Sequence, residues 1–358
     1  MKKHTLICTV GTSLIMNFKN QNPELFALIE KGNLDKFVSE LLQFSPSDRL
    51  CGAEINSVHN YIIKYQPDRY HICFLVSDTD YGKKTGEILK KYFEKSKECR
   101  YQSAVFKVIS HLNETEPVKF SREGLPHLVN EICSIIRAYG EDYIAINATG
   151  GFKAQIAIAL MIGQAFGIEV YYKYELFNEI VSVPPMPITI DDSIVADSLD
   201  ILNLLEEKTV LNSAEINIQD LSPQAQILIE CLPDDSETLY SLSQTGHILL
   251  KRFHIKYPSP QELPADIPDE KRGTLREDTF HSPPDNEYLP FLRKFFRENK
   301  FVHSIYSISH GSQRKQNYCL FKKSPEEDNT IIGSYPGKEF SARDRKSTRL
   351  NSSHESPS

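Results

Sequence analysis

Short apolar runs alternate with amphipathic stretches along residues 1–192. The runs are rich in Val, Ile and aromatic residues, which predicts β-strands. The predicted strands are Thr5–Val10, His71–Ser77, Ala104–Ile109, Tyr143–Asn147 and Glu169–Tyr174. Apolar residues at helical spacing predict helices at Glu54–Tyr65, Lys83–Phe93, Leu125–Tyr139 and Phe152–Phe166. This alternation predicts an α/β domain with a doubly wound, mostly parallel sheet, closed by a hairpin at Glu179–Val183.

A second region, residues 193–253, has the pattern of a small winged-helix-like unit. Helices are predicted at Leu199–Glu207 and Pro223–Cys231, and the pattern of Leu239–Leu250 resembles a wing followed by the last helix. A plain helical connector is the alternative. Residues 254–286 are rich in proline and charge, which predicts a linker.

The C-terminal region predicts a partial effector domain at residues 287–340. A helix is expected at Glu287–Lys300, followed by strands at Val302–Ile308, Tyr318–Lys322 and Thr330–Ile332. Residues 341–358 resemble the translation of a sequencing adapter, so we interpret them as a non-native tail. The C-terminal domain is then expected to be truncated.

Net charge and cysteine usage narrow the classes of function. The formal net charge is −7, so we do not expect a broad basic face that binds duplex nucleic acid. A local pocket for a small anion is compatible with this net charge. The 7 cysteines are scattered singly, which excludes a zinc ribbon and a disulfide framework and fits a reducing cytoplasm. Neither a long apolar run nor a signal-peptide pattern is present, so we expect a cytoplasmic protein with no membrane partner.

Three polar loops follow predicted strands and carry the candidate chemistry. They are Gly11-Thr12-Ser13, Ser77-Asp78-Thr79 and Asn147-Ala148-Thr149-Gly150-Gly151-Phe152-Lys153. The carboxyl ends of parallel strands meet at one edge of a sheet, where glycines and helix N-termini expose N–H groups to an anion. The chain has neither GxGxxG nor GxxxxGK[ST], which disfavours a dinucleotide or a nucleoside triphosphate. Each loop alone is also compatible with an ordinary turn or helix cap. Lys153 is likewise compatible with a solvated surface lysine.

These loops, with Thr9–Leu14, Ala53–Ser57 and Val170–Glu175, resemble the CRISPR-associated Rossmann fold (CARF) family, in its ring nuclease-like branch. The resemblance covers about residues 1–190. It implies a homodimeric sensor of cyclic oligoadenylate, with cyclic tetra-adenylate the expected ring. It also implies catalytic roles for Ser13 and Lys153. The expected ligand-binding residues are Gly11, Thr12, Ser13, Ser77, Asp78, Thr79, Asn147, Thr149, Gly150, Gly151, Phe152 and Lys153.

The implied chemistry needs neither a metal nor a cofactor. RNA carries its own nucleophile, the 2′-hydroxyl, which attacks the neighbouring phosphorus when it is held in line. Lys153 and loop N–H groups would stabilise the developing charge, and Ser13 would orient the 2′-hydroxyl or a phosphate oxygen. The product would end in a 2′,3′-cyclic phosphate. Whether the ring is cut or only sensed stays open at this point.

The regions after residue 192 are compatible with three further functions. The partial end domain resembles RelE-type toxins, with Arg293, Arg297, Arg314 and Lys315 as candidate RNA contacts. The Arg297–His303 spacing instead fits a HEPN ribonuclease. The rival to a ring nuclease is a ligand-sensing CARF/winged-helix transcription regulator. Against it, the segment Pro223–Cys231 has no Lys or Arg, and the expected wing is acidic.

Overall fold

The computed structural model describes residues 4–65, 71–97, 103–174, 177–232, 238–258, 269, 272–277, 283–300, 302–307, 320–323, 330–335 and 338–344. The chain divides into two compact units. The first comprises Met1–Ile190 with Asp200–Ile255, and the second comprises Asp191–Leu199 with Lys256–Ser358. The predicted boundaries at residues 192, 253 and 286 stay predictions.

The elements of the first part of the chain alternate between strands and helices. They are β1 (Thr5–Thr9), α1 (Ser13–Gln21), α2 (Pro23–Glu30), α3 (Leu34–Leu41), α4 (Gly52–Tyr65), β2 (His71–Ser77), α5 (Asp80–Lys95), β3 (Ser103–Ile109), α6 (Pro117–Lys119), α7 (Leu125–Tyr139), β4 (Ile144–Asn147), α8 (Lys153–Phe166), β5 (Val170–Tyr172) and β6 (Val181–Val183). Short 3-10 turns lie at Arg49–Cys51 and Glu141–Tyr143, and a π-helical turn lies at Phe120–Gly124.

Six strands form one sheet in the order β3-β2-β1-β4-β5-β6. The first five strands in this order pair in parallel, and β6 pairs antiparallel to β5. The inner strand β1 is buried along its whole length because helices cover both faces of the sheet. The predicted α/β class, with a mostly parallel Rossmann-like sheet, is therefore confirmed.

Two separate apolar layers sandwich this sheet. Side chains that alternate along β1 enter opposite layers: Leu6 and Cys8 pack with α1, α4 and α5, and Ile7 packs with α7 and α8. Helices α1, α2 and α3 lie between β1 and α4, a region for which the sequence pattern gave no helix. They add Phe18 and Phe37 to the first layer, with ring centroids 4.9 Å apart.

The described part of residues 199–256 contains three helices and a three-stranded antiparallel sheet, and the winged-helix-like interpretation of this region stays a prediction. Its elements are α10 (Leu199–Lys208), β7 (Leu211–Asn212), α11 (Pro223–Gln226), β8 (Ile229–Leu232), β9 (Leu239–Leu242) and α12 (Gln244–Lys256), with a 3-10 turn at Ile218–Asp220. The strands pair in the order β7-β9-β8. The helix predicted over Pro223–Cys231 is wrong in its second half. Ile229–Leu232 instead forms β8, because pairing with β9 satisfies its backbone groups and places Leu232 in the interior.

Helix α12 packs against the helical face of the large sheet. Ile248 is part of the apolar layer formed with α7 and α8. The Arg252 Nε donates to the Ala165 carbonyl at 2.7 Å, and the Gln244 Nε2 donates to the Ser121 carbonyl at 3.0 Å. These contacts cover only part of α8, because Leu160 and Met161 on the same helix remain exposed.

The second unit contains α9 (Ser193–Ala196), α13 (Pro283–Glu298) and an antiparallel sheet. Its strands β10 (Val302–Ser307), β11 (Leu320–Lys323), β12 (Thr330–Tyr335) and β13 (Lys338–Asp344) pair in the order β10-β13-β12-β11. Strand β13 includes the first four residues of the predicted non-native tail; the remaining residues of that tail lie outside the described ones. This sheet disfavours an all-helical HEPN domain.

The candidate RNA contacts of the second unit are described only in part. Arg293 forms a two-pronged ion pair with Glu277, with Nε–Oε1 and Nη2–Oε2 distances of 2.8 and 2.6 Å. Arg297 lies exposed in the last turn of α13. Arg314 and Lys315 lie outside the described residues. Within the described part of the chain, no helix has the length and apolar character needed to cross a membrane.

Candidate functional site

The strand order reverses between β1 and β4, which places a crevice beyond their carboxyl ends. Strand β1 pairs with β2 on one side and with β4 on the other. The chain runs from β1 to β2 and then to β3, and it crosses back over the sheet from β3 to β4. In open α/β sheets this switch point is where ligands bind. The loop Gly11–Thr12 leads into α1 and the loop Ala148–Phe152 leads into α8, so two helix N-termini face the crevice.

The two loops are held together by direct backbone approach. The Thr9 hydroxyl donates to the Gly150 carbonyl at 2.6 Å. A Cβ at Gly11 would lie 3.0 Å from the Gly151 amide nitrogen, and Gly151 has a φ of +102° that favours glycine. The glycines therefore allow the β1 and β4 loops to touch.

A buried carboxyl lies beneath this rim. Glu54, in the first turn of α4, is 1% exposed. The Gly11 amide donates to its Oε1 at 2.8 Å, and a Cβ at Gly150 would overlap the same oxygen. Burial raises the pKa of Glu54, and the hydrogen bonds from Gly11 and Ser13 oppose this shift.

Ser13 connects this carboxyl to the surface. Its hydroxyl donates to Glu54 Oε2 at 3.3 Å and accepts from the Ala53 amide at 3.3 Å. A hydroxyl has one donor and two acceptor positions, so one acceptor position of Ser13 remains for a ligand. Ser13 is the first residue of α1, where the helix also favours negative charge.

Two cavities open on either side of Ser13. We call the first the acidic cavity; it measures about 800 Å³ and is lined by the loops after β1, β2 and β4 with four carboxyl residues. Its carboxyl residues are Glu30, Glu54, Asp80 and Glu114. Among the described residues that line it there is no Lys or Arg. Phosphate groups are therefore disfavoured beside these carboxyl groups, of which Asp80 is paired with Lys84 at 2.8 Å.

We call the second the asparagine cavity, of about 590 Å³. It shares Ser13, Ala53 and Thr149 with the acidic cavity. Its own lining combines four asparagines, three aromatic rings and two cations with Ser47 and Gly52: Asn17, Asn56, Asn60, Asn178, Tyr172, Tyr174, Phe177, Arg49 and Lys173. No carboxylate residue is among the described residues of this lining, so the charge at the crevice changes sign across Ser13.

Most of the predicted loop residues converge on this crevice. Those that line one or both cavities are Gly11, Thr12, Ser13, Ser77, Thr79, Thr149, Gly150, Gly151 and Phe152. Two of them also hold the loops: Thr79 accepts from the Gly82 amide at 3.0 Å as the cap of α5, and its hydroxyl lies 2.8 Å from that of Ser77. The convergence expected at one edge of the sheet is thus present.

Three predicted residues lie elsewhere. Asn147 is buried, where it donates to the Ser57 hydroxyl at 2.7 Å and accepts from Thr149 at 2.6 Å. Asp78 accepts from the His111 amide at 2.7 Å and supports the loop after β3. Lys153 is exposed in the first turn of α8 and lines neither cavity. Asn147 and Asp78 thus support the loops, and a direct ligand contact of Lys153 stays a prediction.

Sequence reasoning missed four residues of the crevice. Glu54 was part of a quoted motif but received no role, although an acidic residue among apolar helix positions is itself a signal. Arg49, Asn56 and Lys173 come from the 3-10 turn, α4 and the end of β5, whose convergence depends on the tertiary fold. Among the described residues, no group of three or more His, Cys, Asp or Glu side chains is arranged to hold a metal ion.

Residues 49–186 match the family model described as CRISPR-associated protein (Cas_APE2256). The resemblance to CRISPR-associated Rossmann-fold proteins is confirmed over this segment. The match includes α4, the loops after β2 and β4, and β5, and therefore most of the CARF domain's crevice. It begins after the loop that carries Ser13.

Two solved structures show weaker similarity. One is Can2 from Sulfobacillus thermosulfidooxidans in complex with cyclic tetra-adenylate, with a TM-score of 0.27 and 11% identity over 70% of this chain. The other is Enterococcus italicus Csm6 bound to cyclic hexa-2′-fluoro-hexa-dAMP, with a TM-score of 0.27 and 14% identity over 58% of this chain. The present chain spans 63% and 49% of their lengths, and similarity at this level carries no argument about function.

Proposed function

We propose that the protein is a CRISPR type III accessory protein of the cytoplasm that binds cyclic oligoadenylate, with cyclic tetra-adenylate the expected ring. The observation that carries this proposal is the position of Ser13. It lies on the rim shared by two cavities, beside two helix N-termini, in a domain whose family is CRISPR-associated. An anionic ring fits such a rim because backbone amides and helix dipoles favour phosphates there.

We propose further that the binding unit is a homodimer. A ring of four identical nucleotides has the symmetry to lie on a two-fold axis, with each protomer supplying half of the contacts. The rim is open to solvent rather than closed over by the described part of the chain, as Ser13 is only half-buried. A second protomer would cover the other half of the ring.

The proposed reaction is metal-independent cleavage of the ring. The 2′-oxygen of one nucleotide forms a bond to the adjacent phosphorus, the bond from phosphorus to the 5′-oxygen breaks, and the 2′-proton leaves as the 5′-oxygen gains one. Ser13 would accept a hydrogen bond from the 2′-hydroxyl, because its own proton is donated to Glu54. Lys153 would stabilise the charge that develops on the phosphoryl oxygens.

Incubation of the ring with the purified protein in EDTA tests the reaction. We expect slow conversion to a linear product with a 2′,3′-cyclic phosphate, resolved by liquid chromatography and mass spectrometry. An intact ring after long incubation, in a protein that binds it, would leave a sensor without ring nuclease activity.

We propose in addition that binding of the ring controls an RNase in the second unit.

A further inference from the structure

A π-helical turn contacts both the loops of the crevice and α12. Helix α6, the π turn Phe120–Gly124 and α7 follow one another without a break over Pro117–Tyr139. At the end of the turn the Leu125 amide donates to the Phe120 carbonyl, five residues back, whereas an α-helix pairs residues four apart. A single π turn thus places one additional residue in the helix, and such turns occur frequently at functional sites.

The turn contacts the β4 loop through a pair of aromatic rings. Phe120 and Phe152 meet edge to face, with ring centroids 5.6 Å apart and an interplanar angle of 87°. Phe152 lines the acidic cavity and directly precedes α8, whose N-terminus favours a phosphate. A phosphate bound there would change the position of Phe152, and the ring contact would carry that change to Phe120.

The end of the turn touches a backbone segment that a second crevice loop holds. A Cβ at Gly124 would lie 2.5 Å from the His111 carbonyl oxygen, so the two main chains are in close contact. His111 has a φ of +60°, a left-handed conformation that residues with side chains seldom adopt. Asp78, from the loop after β2, accepts from the His111 amide at 2.7 Å and stabilises this conformation. The turn is therefore bounded by the loops after β2 and β4, which both line the acidic cavity.

The first residue of α12 is bound to the same turn. The Gln244 Nε2 donates to the Ser121 carbonyl at 3.0 Å. The Gln244 Oε1 is buried and accepts a hydrogen bond from none of the described residues. A buried acceptor without a donor costs free energy, so the amide of Gln244 is only half satisfied in this arrangement. The free-energy cost of releasing it from Ser121 is correspondingly lower.

We propose that the π turn Phe120–Gly124 transmits ring binding at the rim to α12 by a one-residue shift of helical register. The inference rests on the proposed function, because the bound phosphate is what displaces Phe152. Expulsion of the additional residue rotates the segment before Leu125 by about 100° and moves it by about 1.5 Å along the helix axis. Phe120 and Ser121 lie in the same turn, so one shift changes both the contact with Phe152 and the hydrogen bond from Gln244. Coupling between two sites requires an element with two discrete arrangements of this kind.

Hydrogen–deuterium exchange of the full chain, with and without saturating cyclic tetra-adenylate, tests this proposal. Loss of the hydrogen bond between Gln244 and Ser121 should accelerate exchange about threefold or more in the first turn of α12, with altered exchange over Phe120–Gly124. Cyclic hexa-adenylate is the ligand if the six-membered ring binds better. Unchanged exchange in either segment of a protein saturated with ring would overturn the proposal.

Two variants separate transmission through the turn from a general change in stability. Phe120→Leu removes the ring contact with Phe152 but keeps an apolar side chain, so ring binding should persist while the exchange response of α12 is lost. Gln244→Ala should keep the response over Phe120–Gly124 and lose the response of α12, because Gln244 receives the signal after the turn. A ring-dependent response of α12 that persists in either variant would contradict the proposal.

Matched controls are available for both substitutions. Phe44→Leu removes a comparable edge contact, with Phe18 at 5.8 Å, in the other apolar layer. Gln219→Ala replaces an exposed glutamine in the 3-10 turn of the same region as α12. Both controls should show the exchange response of the parent protein, and its loss in either of them would show that the response does not depend on the π turn.

The transmission path can also be tested apart from the ring. If no cyclic oligoadenylate binds, the proposed function fails, and Phe152→Leu then serves as the perturbation from the crevice side in the free protein. Altered exchange in the first turn of α12, absent when Phe152→Leu is made in the Phe120→Leu background, would retain the path. Unaltered exchange of α12 in Phe152→Leu, or an effect that persists in that background, would overturn it as well.

Discussion

Ser13 and Lys153 differ in their relation to the crevice although the same role was expected for both. Ser13 lies on the rim of both cavities and bonds to Glu54, whereas Lys153 is exposed and lines neither. A contact between Lys153, on the first turn of α8, and a bound phosphate stays a prediction. Its contribution is therefore expected in the reaction rather than in the free protein's hydrogen bonds.

Substitution of these two residues should slow ring cleavage. We expect Ser13→Ala and Lys153→Ala each to reduce the single-turnover rate roughly a hundredfold, since loss of one such contact typically costs about 3 kcal/mol. Ser39→Ala and Lys36→Ala, both exposed on α3, are the matched controls. Rates equal to that of the parent protein in both site variants would show that the assigned site is wrong.

The protonation state of Glu54 decides what Ser13 can do. With Glu54 ionised, Ser13 donates to it and can accept from a 2′-hydroxyl; with Glu54 protonated, the carboxyl can donate to Ser13 instead. Because burial raises the pKa of Glu54, this exchange occurs at a higher pH than for an exposed glutamate. Glu54 is thus a positioning residue that acts through Ser13.

The cleavage rate should therefore rise with pH through the raised pKa of Glu54. In Glu54→Gln the amide donates to Ser13 at every pH, so we expect a lower cleavage rate and loss of the Glu54 ionisation from the pH–rate profile.

The free energy of unfolding should change with pH in the opposite sense. The raised pKa stabilises the folded state below the ordinary pKa of glutamate and this contribution is lost as pH rises, a slope that Glu54→Gln should flatten. A pH–rate profile of unchanged shape would argue against the coupling.

At the scale of elements, the contact between the β4 loop and α4 fixes the crevice. A Cβ at Gly150 would lie 2.1 Å from Glu54 Oε1 and 3.0 Å from the Thr9 carbonyl. We expect Gly150→Ala to lower the free energy of unfolding by about 1–3 kcal/mol in urea titrations, as overpacking typically does.

A double-mutant cycle identifies the source of that loss. The effect of Gly150→Ala should be smaller in a Glu54→Ala background, because the side chain that it overlaps is removed. Equal effects in the two backgrounds would show that Glu54 does not determine the position of the β4 loop.

The strands and most helices of the large sheet followed from the sequence because their signals are local. His71–Ser77 and Leu125–Tyr139 have the predicted bounds, since each is a run of apolar residues with a regular period and polar ends. Pro223–Cys231 was assigned to one helix because its apolar residues fit either period, and pairing with β9 decided the outcome. Short segments of this kind depend on their partners rather than on their own pattern.

The candidate site was predictable to the extent that it lies at strand ends. The loops after β1, β2 and β4 converge as the parallel topology requires, but Asn147 and Asp78 turn inward to support them. The asparagine cavity was not predicted, because the convergence of Arg49, Asn56 and Lys173 depends on the tertiary fold. Asn56 and Lys173 lie in segments that carry the family resemblance, but the sequence alone assigned them no role. The distribution of charge across Ser13 is likewise a property of the folded chain.

At the scale of the whole molecule, the winged-helix-like unit bears on the rival function. A DNA-binding winged helix needs a basic recognition helix, yet α11 is short and has neither Lys nor Arg. Helix α12, moreover, packs against the CARF domain through Ile248 and Arg252. This arrangement fits a unit that transmits ligand binding better than one that contacts phosphates.

We therefore expect no tight binding of DNA. A gel shift with the protein's own promoter at low salt, with and without cyclic oligoadenylate, should show no retarded band at submicromolar protein. Ring binding measured in the same preparation is the control for folded protein. Tight, ligand-dependent retardation would instead support a transcription regulator.

Calorimetric titration of the full chain with cyclic tetra-adenylate and cyclic hexa-adenylate tests the central claim most directly. The account predicts saturable heat at micromolar concentrations with at least one ring, at a stoichiometry of one ring per two chains. The absence of heat with both rings, confirmed by an unchanged electrophoretic mobility of labelled ring, would contradict it.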